Sequence, residues 1–304
     1  TLGAFDNIFR HQISLASRLH FTATEQFSKR VSEITQDFSN VFVVGSLSLD
    51  ELFSFQPKSK TVFLEQFGIS KEDYVLVTFH PETMSFEKNT IYAKEMRLAL
   101  SKISEHMNVV VTMPNADTMG SVIREQLILL HSEHLDRVVL VENFGKDNYF
   151  TAMYHSKMLI GNTSSGIIEA ASFNKYVINV GNRQKGRLQS KNIVNCDFIA
   201  SDIYNVAMKL YTSKPYEGEN IYFRNGAADK VIKILKEFKV KYKDTYLKHK
   251  FYADFVVFDT IILEIKTAEC FNASHYNQCL NYLKISGYQL ALLANFNLIS
   301  LEYK

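Results

Sequence analysis

Short apolar runs at residues 74–79, 109–113, 138–141, 158–160 and 176–180 alternate with stretches of helical spacing such as 91–105 and 166–172. Runs that short and that continuous suit strands buried on both faces, and strands alternating with helices predict a parallel sheet covered by helices on each side. The expected architecture is therefore α/β, a doubly wound parallel sheet of Rossmann-like type. In such a sheet the ligand crevice lies beyond the carboxyl ends of the strands. The residues just after each run are consequently the ones to read for chemistry.

Two other textures flank this region. Over 7–36 the apolar positions Ile8, Ile13, Leu15, Leu19, Phe27, Val31 and Ile34 read as helix, short strand (19–24) and helix, followed by a strand at 41–44 that ends in Gly45. Near Lys236 a lysine-rich stretch begins (Lys239, Lys241, Lys243, Lys248, Lys250), and beyond it lie two paired strands at 252–257 and 260–266 joined by a turn with Asp259. A helix over 274–285 and a strand over 290–294 complete a small mixed α/β tail. The expected division is 1–52, 53–239 and 240–304.

With 34 basic and 32 acidic residues the net charge is only +2, too small to hold nucleic acid by bulk charge. The three cysteines, Cys196, Cys270 and Cys279, have no metal or redox spacing, so a reducing, cytoplasmic setting without disulfides is expected. No apolar run approaches the ~20 residues of a membrane span, and no membrane partner is expected.

The strand-end residues differ in what they offer. His80, in TFHPET at 78–83, can donate to a phosphate or move a proton near neutral pH, although a polar loop histidine is more often structural. Asn115 lies in MPNAD at 113–117 and Phe144 in NFG at 143–145, both ordinary turn sequences. GNTSSGIIEA at 161–170 is sharper. A strand, a small polar loop and a helix start would aim free N–H groups at an anion, with hydroxyls from Ser164 and Ser165 and close approach at Gly166. Glu169 repels phosphate but can accept from ribose hydroxyls. A plain serine cap with a capping-box glutamate explains the same residues equally well. NVGNRQKGR at 179–187 then adds Arg183 on a glycine-flanked loop.

Together with GAFD at 3–6, RHQIS at 10–14 and LHFTATE at 19–25, these motifs resemble the hydrolysing UDP-N-acetylglucosamine 2-epimerases over residues 2–236. The resemblance implies the carboxyl-terminal Rossmann-like domain of a glycosyltransferase-B-like fold and a UDP-sugar partner. It implies conversion of UDP-N-acetylglucosamine to N-acetylmannosamine and UDP, as in sialic acid synthesis. It also implies that His80, Asn115, Ser164, Ser165, Gly166, Glu169 and Arg183 line the UDP site, with the backbone near Phe144 against the uracil. Asp6, Arg10 and His80 are the implied catalytic group, and no cofactor is implied. The family's amino-terminal domain, with a further phosphate loop and two further acids, would precede Thr1. This chain is therefore expected to bind UDP and turn over little. Association into a homo-oligomer stays open.

In the tail, FYADFVV at 251–257 and IILEIK at 261–266 put Asp254 beside Glu264 and Lys266, which share one face of a strand. An Asp and a Glu can hold Mg²⁺ with a lysine beside them. With HYNQCLNYL at 275–283 and LLANF at 292–296, the segment resembles the GxxExxY family of PD-(D/E)XK nuclease-like proteins. That makes a Mg²⁺-dependent nucleic-acid-processing protein the alternative function, and a non-catalytic UDP-sugar-binding module another. The acid-bearing G-x-x-E helix of that family is missing, so little nuclease activity is expected.

Overall fold

The computed structural model describes residues 7–70, 73–114, 120–238, 241–242, 245–246, 253–257, 261–266, 268–295 and 302–303. Two compact units emerge, one holding residues 46–225 and the other joining 8–45 to 226–304.

The first described elements are α1 (Asn7–Ala16), β1 (His20–Thr22), α2 (Glu25–Thr35) and β2 (Val41–Val43), and β1 and β2 pair in parallel. The Thr24 hydroxyl begins α2 by accepting the Phe27 N–H at 3.2 Å, and Gln36 ends it in the left-handed region at φ 55°. The expected strand over 19–24 is thus only its middle, because Thr24 is needed as a cap.

The first unit continues with α3 (Lys60–Phe67), β3 (Tyr74–Thr78), α4 (Asn89–Ser104), β4 (Asn108–Thr112), α5 (Gly120–Glu133), β5 (Val138–Val141) and α6 (Gly145–His155). It ends with β6 (Met158–Gly161), α7 (Ser164–Ile168), β7 (Tyr176–Val180), β8 (Ile193–Cys196) and α8 (Ala200–Tyr211). The sheet is parallel throughout, in the order β5-β4-β3-β6-β7-β8. Every residue of β3 is buried, as a central strand covered on both faces should be. One face packs against Met96, Leu100 and Ile103 of α4, Leu127 of α5 and Ile203 of α8, and the other against Phe63 of α3 and Met153 of α6. Phe63 is fully buried, a side chain whose truncation to alanine costs about 3–5 kcal/mol.

Strand order decides where a ligand can sit. The chain leaves β3 toward β4 and β5, then returns to β6 on β3's other side, so β3 and β6 flank the topological switch point. The two strands close tightly there. Gly161 has φ +142°, and a Cβ on it would lie 2.0 Å from the Thr78 carbonyl oxygen. Only glycine permits this approach.

The second unit resumes with α9 (Ala227–Glu237) and the short antiparallel pair β9 (Lys241–Tyr242) and β10 (Thr245–Tyr246). β11 (Phe255–Val257), β12 (Ile261–Lys266), α10 (Ala273–Ser286), β13 (Leu290–Asn295) and β14 (Glu302–Tyr303) follow. β11 and β12 are antiparallel as expected, while β12 and β13 are parallel, with α10 as the crossover between them. Asn272 and His275 form a reciprocal cap on α10, and Gly287 closes it at φ 75°. Asp259, Lys239, Lys243, Lys248 and Lys250 lie outside the described residues. Among the described residues no helix is long and apolar enough to cross a membrane.

Candidate functional site

The loops after β3, β6 and β7 meet at the switch point, and Asn162 joins them. Its side chain, 0% exposed, clamps the His80 main chain from both sides: Oδ1 accepts the His80 N–H at 2.8 Å and Nδ2 donates to the His80 carbonyl at 2.8 Å. The Asn162 carbonyl in turn accepts Arg183 Nη1 at 3.2 Å and Gln184 Nε2 at 2.7 Å. His80 and Arg183, read separately from the sequence, are thus held on one residue of the third loop.

The serine loop divides its labour. Thr163 caps α7 by accepting the Ser165 N–H at 3.4 Å. The Ser165 hydroxyl pairs with Tyr149 Oη at 2.7 Å and Thr163 Oγ1 at 3.2 Å, tying the loop into the sheet interior. Burial pushes the Tyr149 phenol up, so it stays a neutral hydrogen-bonding group. Ser164 Oγ, by contrast, has no hydrogen-bond partner among the described residues. Gly166 is buried against Val177, where a Cβ would come within 3.1 Å of its Cγ1. Phe144 is buried with its ring against Phe67 and, 6.5 Å away, Tyr149, so only its backbone can face a ligand.

Glu169 is 7% exposed, and its carboxyl accepts from Ser48 Oγ at 2.7 Å and interacts with its own main-chain N–H. Burial pushes its carboxyl up to about 7, against the downward pull of the Ser48 hydrogen bond and the Arg187 charge. A cleft of about 510 Å³ is lined in part by Asn182, Lys185, Asp197 and the Arg187 whose charge acts on Glu169.

Four participants escaped the sequence reading: Asn162, Glu82, Tyr149 and Ser48. Glu82, 3% exposed, accepts the main-chain N–H groups of Asn182 and Arg183, the latter at 3.0 Å. Each of these residues looks like an ordinary turn or helix residue until the fold brings its distant partner close. Asp6 and Asn115 lie outside the described residues, and Arg10 sits on α1 in the other unit.

In the tail, Asp254, Glu264 and Lys266 do come together. Lys266 Nζ lies 2.6 Å from Glu264 Oε1, which also accepts Gln278 Nε2, while Glu264 Oε2 accepts the Asp254 N–H at 3.3 Å. Asp254 Oδ2 accepts the Ile265 N–H at 2.6 Å, and Gln278 donates onward to Tyr282 Oη at 2.8 Å. Burial alone would lower the Lys266 ammonium, but Glu264 and Asp254 outweigh it and hold it above its ordinary value. Gln278 and Tyr282 were also missed, four apart on α10 and indistinguishable by sequence from its polar face. Both Glu264 oxygens and Asp254 Oδ2 accept from the chain's own donors. Among the described residues no group of three His, Cys, Asp or Glu could hold a metal.

Known proteins match both parts. Residues 1–236 fit the family model of UDP-N-acetylglucosamine 2-epimerase, and 228–304 that of the PD-(D/E)XK nuclease superfamily. The chain is 30% identical over 249 residues to polysialic acid biosynthesis protein P7 of Escherichia coli, covering 80% of this chain and 63% of that protein. It is 36% identical over 201 residues to a GDP/UDP-N,N'-diacetylbacillosamine 2-epimerase (hydrolyzing) of Campylobacter jejuni, covering 65% and 51%. The chain therefore spans between half and two thirds of the length of these relatives. Among solved structures, the UDP-GlcNAc 2-epimerase from Neisseria meningitidis bound to UDP-GlcNAc has a TM-score of 0.60 at 16% identity, covering 74% of this chain and 63% of that one. The S. aureus MnaA–UDP co-structure reaches 0.61 at 16% identity, covering 77% and 62%. At these identities the likeness is one of fold.

Proposed function

Because the chain belongs to the UDP-N-acetylglucosamine 2-epimerase family, we propose that its 46–225 unit is the UDP-holding part of a hydrolysing epimerase. The reaction converts UDP-N-acetylglucosamine and water to N-acetylmannosamine and UDP. A base takes the C2 proton as the bond from C1 to the diphosphate oxygen breaks, and water then adds to the resulting glycal with inverted C2 configuration. The reading needs no cofactor, and a cytoplasmic setting suits the three unpaired cysteines.

The observation that carries the proposal is that His80 and Arg183 are held by one buried asparagine, Asn162, in the same loop that carries Ser164. Charge develops on the leaving diphosphate, and a preorganised arginine with hydroxyl and N–H donors is the chemistry that stabilises it. Glu169 serves the ribose hydroxyls. Calorimetric titration of UDP tests this: Arg183→Ala and Ser164→Ala should each bind about tenfold or more weakly than wild type, the loss of a hydrogen bond to a charged group. Unchanged affinity in both would remove the site assignment. A coupled assay for N-acetylmannosamine reads turnover in parallel.

For the tail we propose a non-catalytic PD-(D/E)XK-like fold. What supports this is that both oxygens of the buried Glu264, and Oδ2 of the exposed Asp254, accept hydrogen bonds from the chain itself. Plasmid nicking that needs Mg²⁺ and disappears in Glu264→Ala would reverse this reading.

A further inference from the structure

We propose that Glu82 is a positioning residue for Arg183, a latch that sets the arginine-bearing loop against the histidine-bearing one. The proposal rests on the UDP-site reading above and deepens it. Glu82 stands at the cap position of a 3-10 helix, Thr83–Lys88, yet makes no side-chain cap hydrogen bond there. It reaches instead a hundred residues along the chain, where one oxygen, Oε1, accepts the N–H groups of both Asn182 and Arg183.

Three features make this a built contact. The carboxylate is 3% exposed, so its hydrogen bonds are not exchanged for water. Its own main chain is fixed by Asn89, 0% exposed, whose Oδ1 accepts the Glu82 N–H at 2.9 Å and whose Nδ2 donates to the Glu82 carbonyl at 3.0 Å. The opposing loop leaves room for it: Gly181 has φ +78°, and a Cβ there would fall 2.4 Å from Glu82 Oε1. Asn89, Glu82 and Gly181 thus form a line from the start of α4 to the backbone of Arg183. On the other side, Arg183 Nη1 rests on the Asn162 carbonyl. Backbone and guanidinium are fixed independently, so Glu82 sets where the side chain starts and Asn162 where it ends.

The latch needs an acceptor at the right reach more than it needs a charge, and that separates it from a long-range electrostatic role. Glu82→Gln keeps an oxygen at the same distance, while Glu82→Asp keeps the charge and withdraws the oxygen by one methylene. The experiment compares the full chain as wild type, Glu82→Gln and Glu82→Asp by native-state hydrogen exchange without ligand and by titration with UDP and with uridine. Protection of the Asn182 and Arg183 amides should persist in Gln and fall by about tenfold or more in Asp, as expected when a buried acceptor is withdrawn. UDP affinity should stay within about twofold in Gln and drop about tenfold in Asp, with uridine unaffected in both. In an Arg183→Ala background, Glu82→Asp should cost no further UDP affinity, because the latch acts only through that arginine.

Equal amide protection in all three proteins would overturn the latch. Gln behaving as badly as Asp would overturn it too, in favour of charge, and so would a further loss on top of Arg183→Ala. If wild type does not bind UDP at all, the functional reading fails, while the exchange measurement still decides whether Glu82 fixes the loop.

Discussion

The two units each bury an acid, Glu264 within β12 and Glu169 at the carboxyl end of α7, and the two acids are treated differently. Glu264, 1% exposed, is surrounded by a lysine ammonium, a glutamine amide and a main-chain N–H. Glu169, 7% exposed, is met by a serine hydroxyl, its own main-chain N–H and the charge of Arg187, yet burial has raised it to about 7. A carboxylate whose lone pairs are already occupied is part of the framework. One buried with capacity to spare is costly to the fold, and such a cost is typical of binding sites. The difference explains why the tail, though it assembles the expected Asp, Glu and Lys, reads as structure, and why the switch point reads as a site.

The largest expected effect breaks the tail's side of this contrast. Glu264→Ala strands the Lys266 ammonium among groups that no longer balance it, and removing one partner of a buried pair costs about 3–5 kcal/mol. Exchange of the β12 and β13 amides should accelerate to match. The double variant Glu264→Leu with Lys266→Met, which removes both charges, should recover most of the loss. A cost below about 1 kcal/mol for Glu264→Ala would mean that the carboxylate is held for something other than structure.

Next in size is a stability change that depends on pH. Glu169 is raised from an ordinary 4.5 to about 7 in the folded protein. Between those values the native state keeps a proton that the unfolded chain has released, so stability falls as pH rises from about 4.5 to about 7 and is flat on either side. The accumulated cost is on the order of 3 kcal/mol. Glu169→Gln should remove that slope, leaving stability little changed at pH 4 and higher than wild type at pH 8. Urea unfolding of the 46–225 unit at both pH values checks it, and parallel profiles for the two proteins would show that Glu169 is solvated after all.

How much of this contrast could be read in advance depends on the range of the interaction. β5 and β7 run where their apolar stretches predict, because a strand covered on both faces needs no pattern beyond continuity. β8 (Ile193–Cys196) escaped, being a short edge strand with no fully buried residue. His80, Ser164 and Arg183 were found since each directly follows a strand. Asn162 and Glu82, which hold them, were not, because a polar residue in a loop is a turn former until its partners are known. The helix expected over 166–172 starts earlier, at Ser164, and breaks into α7 and a 3-10 turn at Ala170–Phe173.

The smallest expected effect tests whether the spare capacity of Glu169 is used by the ligand. If ribose hydroxyls donate to it, binding requires the ionised carboxylate and must cost the free energy of releasing its proton below about pH 7. The ionised share falls from about nine tenths at pH 8 to about one tenth at pH 6, so UDP affinity should drop nearly tenfold across that range, about 1.3 kcal/mol. UDP itself takes up a proton near the lower end, which weakens binding for a reason unrelated to Glu169. The quantity to read is therefore the difference between the wild-type and Glu169→Gln profiles, in which the ligand's own titration cancels. Glu169→Gln should bind more weakly than wild type at pH 8 and converge on it at pH 6. Parallel profiles would mean that the ligand never reaches this carboxylate, and a wild type that binds better at pH 6 would mean that Glu169 donates its proton to the ligand. In either case the contrast with Glu264 would be one of burial alone.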